Sequence, residues 1–253
     1  MSVHVYKHQF NYNIFDTIDT EEKAYWLGFI YADGCILEDA SLIITLSIVD
    51  KEHLVKFNTF MQGSATILKE KCVKYNGKEK YYILWQASDK HLKTALAKCG
   101  VFPRKSLVLT FPSQEIIPQN LMHHFIRGIF DGDGSISTIE TSCCKLSAQL
   151  IGTEDIVKKC LKHPNIEHTL KKVYSKNTNN LRSVQLKIAN SIKFFNYIYK
   201  DATIYLDRKY NLWQHYCRSN KKLLEELEGK FGKDWDVNSE VIKYLNYTQY
   251  RNA

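Results

Sequence analysis

The sequence predicts an α+β fold made twice over, each copy running helix, two strands, helix, two strands, helix. Three observations predict it. First, Trp26–Ile36 (WLGFIYADGCI) and Phe125–Gly134 (FIRGIFDGDG) are versions of one motif; with Gly28 set on Gly128 and Asp33 on Asp133, the offset is 133 − 33 = 100 residues. Second, the stretches after each motif correspond. SLIITLSIVDKEHLVKF and KLSAQLIGTEDIVKKCL each read as an alternating strand, a polar turn and a helix, and ILWQASDKHLKTALAKCG and VQLKIANSIKFFNYIYK each read as a strand entering a helix. Third, each copy closes on a basic pair, Arg104-Lys105 and Arg208-Lys209. A repeat of this length is one supersecondary unit used twice. The expected divisions are 1–112, 113–217 and a helical extension 218–253.

The first helix of copy one is expected to start at DTEEKAYW, with Asp19 as its cap and Glu22 completing a capping box. The first helix of copy two is expected near Pro118, a residue favoured in a first helical turn. In copy two, Leu146, Ala148 and Leu150 alternate with Lys145, Ser147 and Gln149, and Val184, Leu186 and Ile188 alternate with Ser183, Gln185 and Lys187. That is period-2 patterning with one wet face, the mark of antiparallel sheets. In copy one, KYYILWQ is apolar on both faces and reads as a buried strand. The extension holds one helical stretch, Lys221 to Lys230, and a shorter one near Ser239 to Leu245, read as an auxiliary DNA-binding appendage or a strut across the core, with the structural reading favoured.

Composition narrows the function classes. The chain has 253 residues, 44% of them hydrophobic and 25% charged, which is ordinary globular composition. No apolar run reaches the roughly 18 residues of a membrane span, and the N-terminus lacks a signal-peptide core. The expectation is a soluble intracellular protein of a phage, bacterial cytoplasm or organelle. Seven cysteines without a C-x-x-C pair argue against a disulfide framework or zinc cluster and predict reduced, mostly buried thiols. The net charge of +8 calls for a polyanionic partner. Residues 218–253 contribute only 7 − 6 = +1 of it, so the excess lies on the repeats.

The wet strand faces carry amides, hydroxyls and lysines. Two such sheets side by side form a saddle whose Gln and Lys side chains reach base edges and phosphates in a DNA groove. The candidate DNA-binding residues are Thr45, Ser47 and Lys80 in copy one and Lys145, Ser147, Gln149, Arg182, Ser183, Gln185 and Lys187 in copy two.

The motif itself raises a separate question. Gly28 and Ala32 share one helical face, as do Gly128 and Gly132. An interior glycine destabilises a helix by about 1 kcal/mol relative to alanine, so a compensating gain is expected, and close helix–helix contact supplies it. Asp33 and Asp133 then stand in the last helical turn, where the dipole is negative, each before a glycine suited to a left-handed C-cap. If the helices pair, the carboxylates converge, and a divalent cation removes the repulsion. Two carboxylates, carbonyls of the last turn and water suit Mg²⁺.

Trp26–Gly34 and Ile126–Gly134 resemble the LAGLIDADG motif, and over residues 20–212 the chain resembles the single-chain, two-motif LAGLIDADG homing endonucleases. The resemblance implies a pseudo-twofold αββαββα fold with two antiparallel sheets forming a DNA-binding saddle. It implies a monomeric enzyme of intron homing that cuts both strands of a long target, reads the major groove and depends on Mg²⁺ or another divalent cation such as Mn²⁺. It maps metal binding to Asp33 and Asp133, with the carbonyls of Ala32 and Gly132 assisting. It maps the basic residues near the scissile phosphate to Lys105 and Lys209, with Arg104 and Arg208 as lesser neighbours. Tyr31 departs from the motif where Asp131 keeps its first acid; that position packs or caps the helix, so tolerance is expected. The water-ordering position falls near Ser47, the Ile151-Gly152-Thr153 turn or Gln149 and stays open. The alternatives are a maturase that binds its own intron RNA, a catalytically silent DNA-binding regulator and an intein-resident nuclease. Intact motif acids argue against the regulator, and the lack of a splice block argues against the intein.

Overall fold

The computed structural model of this chain describes residues 9–64, 68–139, 145–173, 180–232, 240–241 and 244–245, with the backbone alone at Tyr75, Thr138, Ile139 and Lys145. The first copy runs α1 (Glu21–Asp33), β1 (Gly34–Ile36), β2 (Ser41–Ser47), α2 (Lys51–Phe60), β3 (Leu68–Tyr75), β4 (Lys78–Ser88) and α3 (Lys90–Lys98). The second runs α4 (Met122–Asp133), β5 (Gly134–Ile139), β6 (Lys145–Thr153), α5 (Glu154–Lys162), β7 (Lys171–Lys172), β8 (Leu181–Leu186) and α6 (Ile188–Ile198), and α7 (Asp207–Ser219) and α8 (Lys221–Phe231) follow. The repeated αββαββα order is therefore present. Each copy builds one four-stranded antiparallel sheet, ordered β1-β2-β4-β3 and β5-β6-β8-β7.

The first sheet buries Leu42, Ile44 and Leu46 of β2 and Ile83, Trp85 and Ala87 of β4. The core beneath it is aromatic. Trp26 lies 5.0 Å from Phe57 between ring centroids, and Phe57 lies 4.9 Å from Trp85. The expectation that KYYILWQ is buried on both faces is corrected. Tyr82, Leu84 and Gln86 are half-buried and pair with Ser47, Thr45 and Ile43, so the strand has a wet face. Aromatic and leucine side chains on that face hid the alternation. The second sheet follows its pattern, burying Leu146, Ala148, Leu150, Val184 and Leu186. Ser191 locks it to α6: its hydroxyl accepts from the Ala148 N–H at 3.0 Å and donates to the Leu186 carbonyl at 3.0 Å.

The chain divides into two compact units. One extends to Lys105 and takes in Pro112–Gly128; the other comprises Ser106–Phe111 and the chain from Ile129 onward. The connecting segment therefore alternates between units instead of changing once at 112/113. In the second unit three side chains hold Ser106–Phe111. Thr153 Oγ1 donates to the Leu109 carbonyl at 2.7 Å, the Phe111 N–H donates to Asp155 at 2.8 Å, and Asn180 donates to the Leu107 carbonyl at 3.1 Å.

Two expectations about helix ends are corrected. Thr20, not Asp19, caps α1, accepting from the Lys23 N–H at 3.3 Å, while Asp19 pairs with the Lys23 ammonium at 2.8 Å. Gly34 is not left-handed: it is extended, with φ −74° and ψ 137°, and opens β1 directly. Space explains this glycine, because a Cβ on Gly34 would lie 2.6 Å from the Ile30 carbonyl oxygen. At Gly134 the same atom would lie 2.6 Å from the Phe130 carbonyl oxygen. Each strand turns back so tightly off its helix that no side chain fits.

Beyond the repeats, α8 buries Leu223 and Leu227, and Val241 and Leu245 are buried as well. Tyr244 donates to Glu226 at 2.5 Å and faces the Lys230 ammonium at 4.7 Å. The described part of the extension is a packed helical structure. No described helix is long and apolar enough to cross a membrane. Of the thiols, Cys99 and Cys160 are buried, Cys217 is half-buried, and Cys35 and Cys72 are exposed, against the expectation of mostly buried cysteines. Cys143 and Cys144 lie outside the described residues.

Candidate active site and nucleic-acid interface

The expected helix contact is seen in the first unit, where the N-terminal part of α4 packs on α1. A Cβ on Gly128 would overlap the Tyr25 carbonyl oxygen and lie 2.7 Å from the Phe29 nitrogen and 3.0 Å from the Gly28 carbonyl carbon. These are backbone atoms, so only glycine allows the approach. Gly28 itself is buried, and Ala32 and Gly132 are half-buried.

Beside this contact lies a charged group that sequence reasoning missed. Arg127 is fully buried and donates to Glu21 at 2.6 Å, with its guanidinium 5.4 Å from the Tyr25 ring centroid. His124 Nδ1 stands 3.6 Å from the same carboxylate oxygen. The available signal was an arginine at position 127 where the first copy has Leu27. Removing the guanidinium takes its shortest ion pair from a carboxylate that is only partly open to water. Arg127→Ala is therefore expected to destabilise the fold by about 3 kcal/mol, read by denaturant unfolding. Adding Glu21→Gln to Arg127→Met should recover most of that loss. A loss under about 1 kcal/mol in the single variant would show that the pair contributes as little as a surface one.

The ends of the motif helices carry the candidate chemistry. Asp33 is half-buried and Asp133 is exposed. Lys105 and Lys209, expected on phosphate-facing surfaces, are instead buried at 5% and 3% exposure. Each ammonium sits on the carbonyls that end a motif helix. Lys105 donates to the Tyr31 carbonyl at 2.6 Å and stands 3.5 Å from the Ala32 carbonyl. Lys209 donates to the carbonyls of Phe130 at 2.7 Å, Asp131 at 2.6 Å and Gly134 at 2.5 Å. The last carbonyls of a helix lack intrahelical partners and lie at the negative end of its dipole. An ammonium placed there meets both the open carbonyls and the helix dipole. Arg104 and Arg208 are exposed, and Arg104 adopts a left-handed backbone with φ 60°.

The position thought tolerant is built into the same place. Tyr31 is buried and its hydroxyl donates to the Cys99 carbonyl at 2.5 Å. Burial pushes this phenol well above its ordinary range, so it stays a neutral donor. Asp131 is buried and accepts from the Leu206 N–H at 2.8 Å, with the Tyr199 hydroxyl at 3.5 Å.

Among the described residues no group of three or more His, Cys, Asp or Glu side chains encloses a metal. One carboxylate per repeat, near solvent, fits a hard cation that keeps most of its shell as water and substrate oxygen, the habit of Mg²⁺.

The wet sheet faces hold most of the expected DNA-contacting residues. Thr45, Ser47 and Lys80 are exposed, Ser147, Gln149 and Ser183 are half-buried, and Gln185 is exposed. Gln149 stands opposite Gln185 on the neighbouring strand. Gln185 Nε2 donates to Ser147 Oγ at 3.2 Å, so these two polar side chains orient one another. Lys187 is exposed at the cap of α6, just past the strand. Arg182 departs from expectation. It pairs with Gly152, one residue out of phase with Ser183, and its guanidinium binds Glu154 at 2.6 Å. The Lys145 side chain lies outside the described residues. Of the water-ordering candidates, Thr153 is buried and caps α5, accepting from the Ile156 N–H, which leaves Ser47 and Gln149 near solvent.

These features define a class: a duplicated αββαββα protein with an acid and a buried lysine at the end of each motif helix. No protein-family model and no curated protein matches the sequence, but solved structures match the fold. "The homing endonuclease I-WcaI bound to its DNA recognition sequence" gives a TM-score of 0.53 at 13% identity, covering 76% of this chain and 87% of that one. A lysine-to-alanine mutant of I-SmaMI gives 0.51 at 12% identity, covering 83% and 94%. I-SmaMI is described as a LAGLIDADG homing endonuclease. The fold of this chain is that of the LAGLIDADG homing endonucleases.

Proposed function

We propose that the protein is a site-specific double-strand DNA endonuclease that hydrolyses phosphodiester bonds with a divalent cation. The observation that carries this reading is the repeated helix end, Asp33 with Lys105 and Asp133 with Lys209, at the close of a motif helix in each copy. A DNA-binding regulator has no use for an acid and a buried ammonium at the same place twice.

In this reading Asp33 and Asp133 hold Mg²⁺, or Mn²⁺ in its place, with the Ala32 and Gly132 carbonyls as auxiliary donors. The bound cation supplies charge against the phosphate oxygens and lowers the pKa of bound water. Lys105 and Lys209 add fixed positive charge beside each acid, where it stabilises negative charge developing on phosphorus-bound oxygens. The remaining residues bind. Thr45, Ser47, Lys80, Ser147, Gln149, Ser183, Gln185 and Lys187 meet base edges and phosphates of a long duplex in its major groove. The net charge of +8 supports a polyanionic partner, and the DNA-bound state named for I-WcaI supports duplex DNA. Both repeats lie on one chain, which suits a monomer, and the homing role follows from this reading. No observation favours intron RNA.

The test is a selection from a random duplex library in the presence of EDTA, which permits binding without cutting. Recovery of one long sequence, bound more weakly as salt rises, is the expected result. A recovered pool that stays random, or tighter binding of a structured RNA than of any recovered duplex in a parallel titration, would sink the reading.

A further inference from the structure

We propose that Tyr31 and Asp131 are positioning residues for Lys105 and Lys209, working by hydrogen bonds of opposite polarity in the two repeats. The residue at this position holds the lysine-bearing segment twice. Its main-chain carbonyl accepts the lysine ammonium, at 2.6 Å in both copies. Its side chain grips the chain that leads to that lysine. Tyr31 donates to the carbonyl of Cys99, the residue that ends α3, six positions before Lys105 (105 − 99). Asp131 accepts from the N–H of Leu206, three positions before Lys209 (209 − 206), and the Lys209 N–H in turn donates to the Leu206 carbonyl at 3.0 Å.

The polarity explains the sequence difference. In copy one the partner is an acceptor, so a carboxylate at position 31 would face a carbonyl in a buried site. In copy two the partner is a donor, and a carboxylate satisfies it. The tyrosine has its own fitted space. Gly100, at φ 89°, follows Cys99, and a Cβ there would run into the Tyr31 hydroxyl. Both side chains are 2% exposed, so water cannot replace a lost partner. The departure from the motif at Tyr31 is therefore a second solution to the same task.

The role assigned to the lysines rests on the nuclease reading, but their placement can be measured without it. The full chain is pulse-labelled with acetic anhydride, and acylation of each lysine is followed by mass spectrometry, with exposed Lys80 and Lys187 as references. Tyr31→Phe keeps the ring and removes the donor. It is expected to raise labelling of Lys105 about tenfold, the factor a lost buried hydrogen bond gives, with Lys209 unchanged. Asp131→Ala should do the converse, and Asp131→Asn, which still accepts through Oδ1, should restore protection of Lys209. If Asp131→Ala does not fold, the Tyr31→Phe result decides. Unchanged labelling of Lys105 in Tyr31→Phe, or an equal rise at both lysines, overturns the proposal. On the selected DNA site, Tyr31→Phe should slow single-turnover cleavage with Kd unchanged. If no form of the protein cuts DNA, the nuclease reading fails and the labelling result still stands.

Discussion

Under the proposed nuclease function, Asp133→Asn is expected to leave DNA binding intact and to lower cleavage by about a hundred- to a thousandfold. The substitution keeps the size and one acceptor oxygen but removes the negative charge a hard cation requires. Asp133 is exposed at the end of α4, off the sheet face proposed to meet DNA, so affinity should change little. The α4 helix should also keep its stability, because an acid at a helix C-terminus is mildly unfavourable and its removal relieves that. The variant thus separates binding from chemistry: Kd within a few-fold of the parent, and a single-turnover rate at background. Cleavage within tenfold of the parent would place the cation elsewhere.

Gly128→Ala is expected to have a large effect on stability. At an exposed helix glycine this change stabilises by about 1 kcal/mol through helix propensity. Here the added methyl would overlap the Tyr25 carbonyl oxygen and crowd the Phe29 nitrogen, both fixed by their own helix. Overpacking typically costs about 1–3 kcal/mol, occasionally more; with backbone atoms that cannot yield, the upper end applies, and after the propensity gain the net loss should be about 2 kcal/mol. Gly229 is a control, since nothing lies within 4 Å of a Cβ there. Gly229→Ala should stabilise slightly. Denaturant unfolding reads both, and a neutral Gly128→Ala would show that the helices do not touch as closely as described.

The element order, the sheets and the glycine approach were legible because they follow from periodicity and from a motif present twice. What stayed hidden depends on partners distant in sequence. Nothing local tells that Lys105 folds onto a carbonyl 74 positions earlier, or Lys209 onto one 78 positions earlier. A lysine in a basic pair reads as a surface charge, and only the fold supplies the helix end that makes burial affordable. The pairing of Arg182 stayed hidden for a simpler reason. It sits among residues of the wet face, but the strand's alternation turns it to the other side, where Glu154 takes it. Tyr31 looked like drift in a motif, and its bond to Cys99, 68 positions on, shows a fitted contact.

The most direct measurement is strand-resolved cleavage of the selected DNA site by the full chain, with Mg²⁺ and with EDTA. The expected result is that both strands are cut in Mg²⁺, neither in EDTA, and neither by the Asp33→Asn, Asp133→Asn double variant while it still binds. Cleavage that survives EDTA, or that the double variant retains, would contradict it.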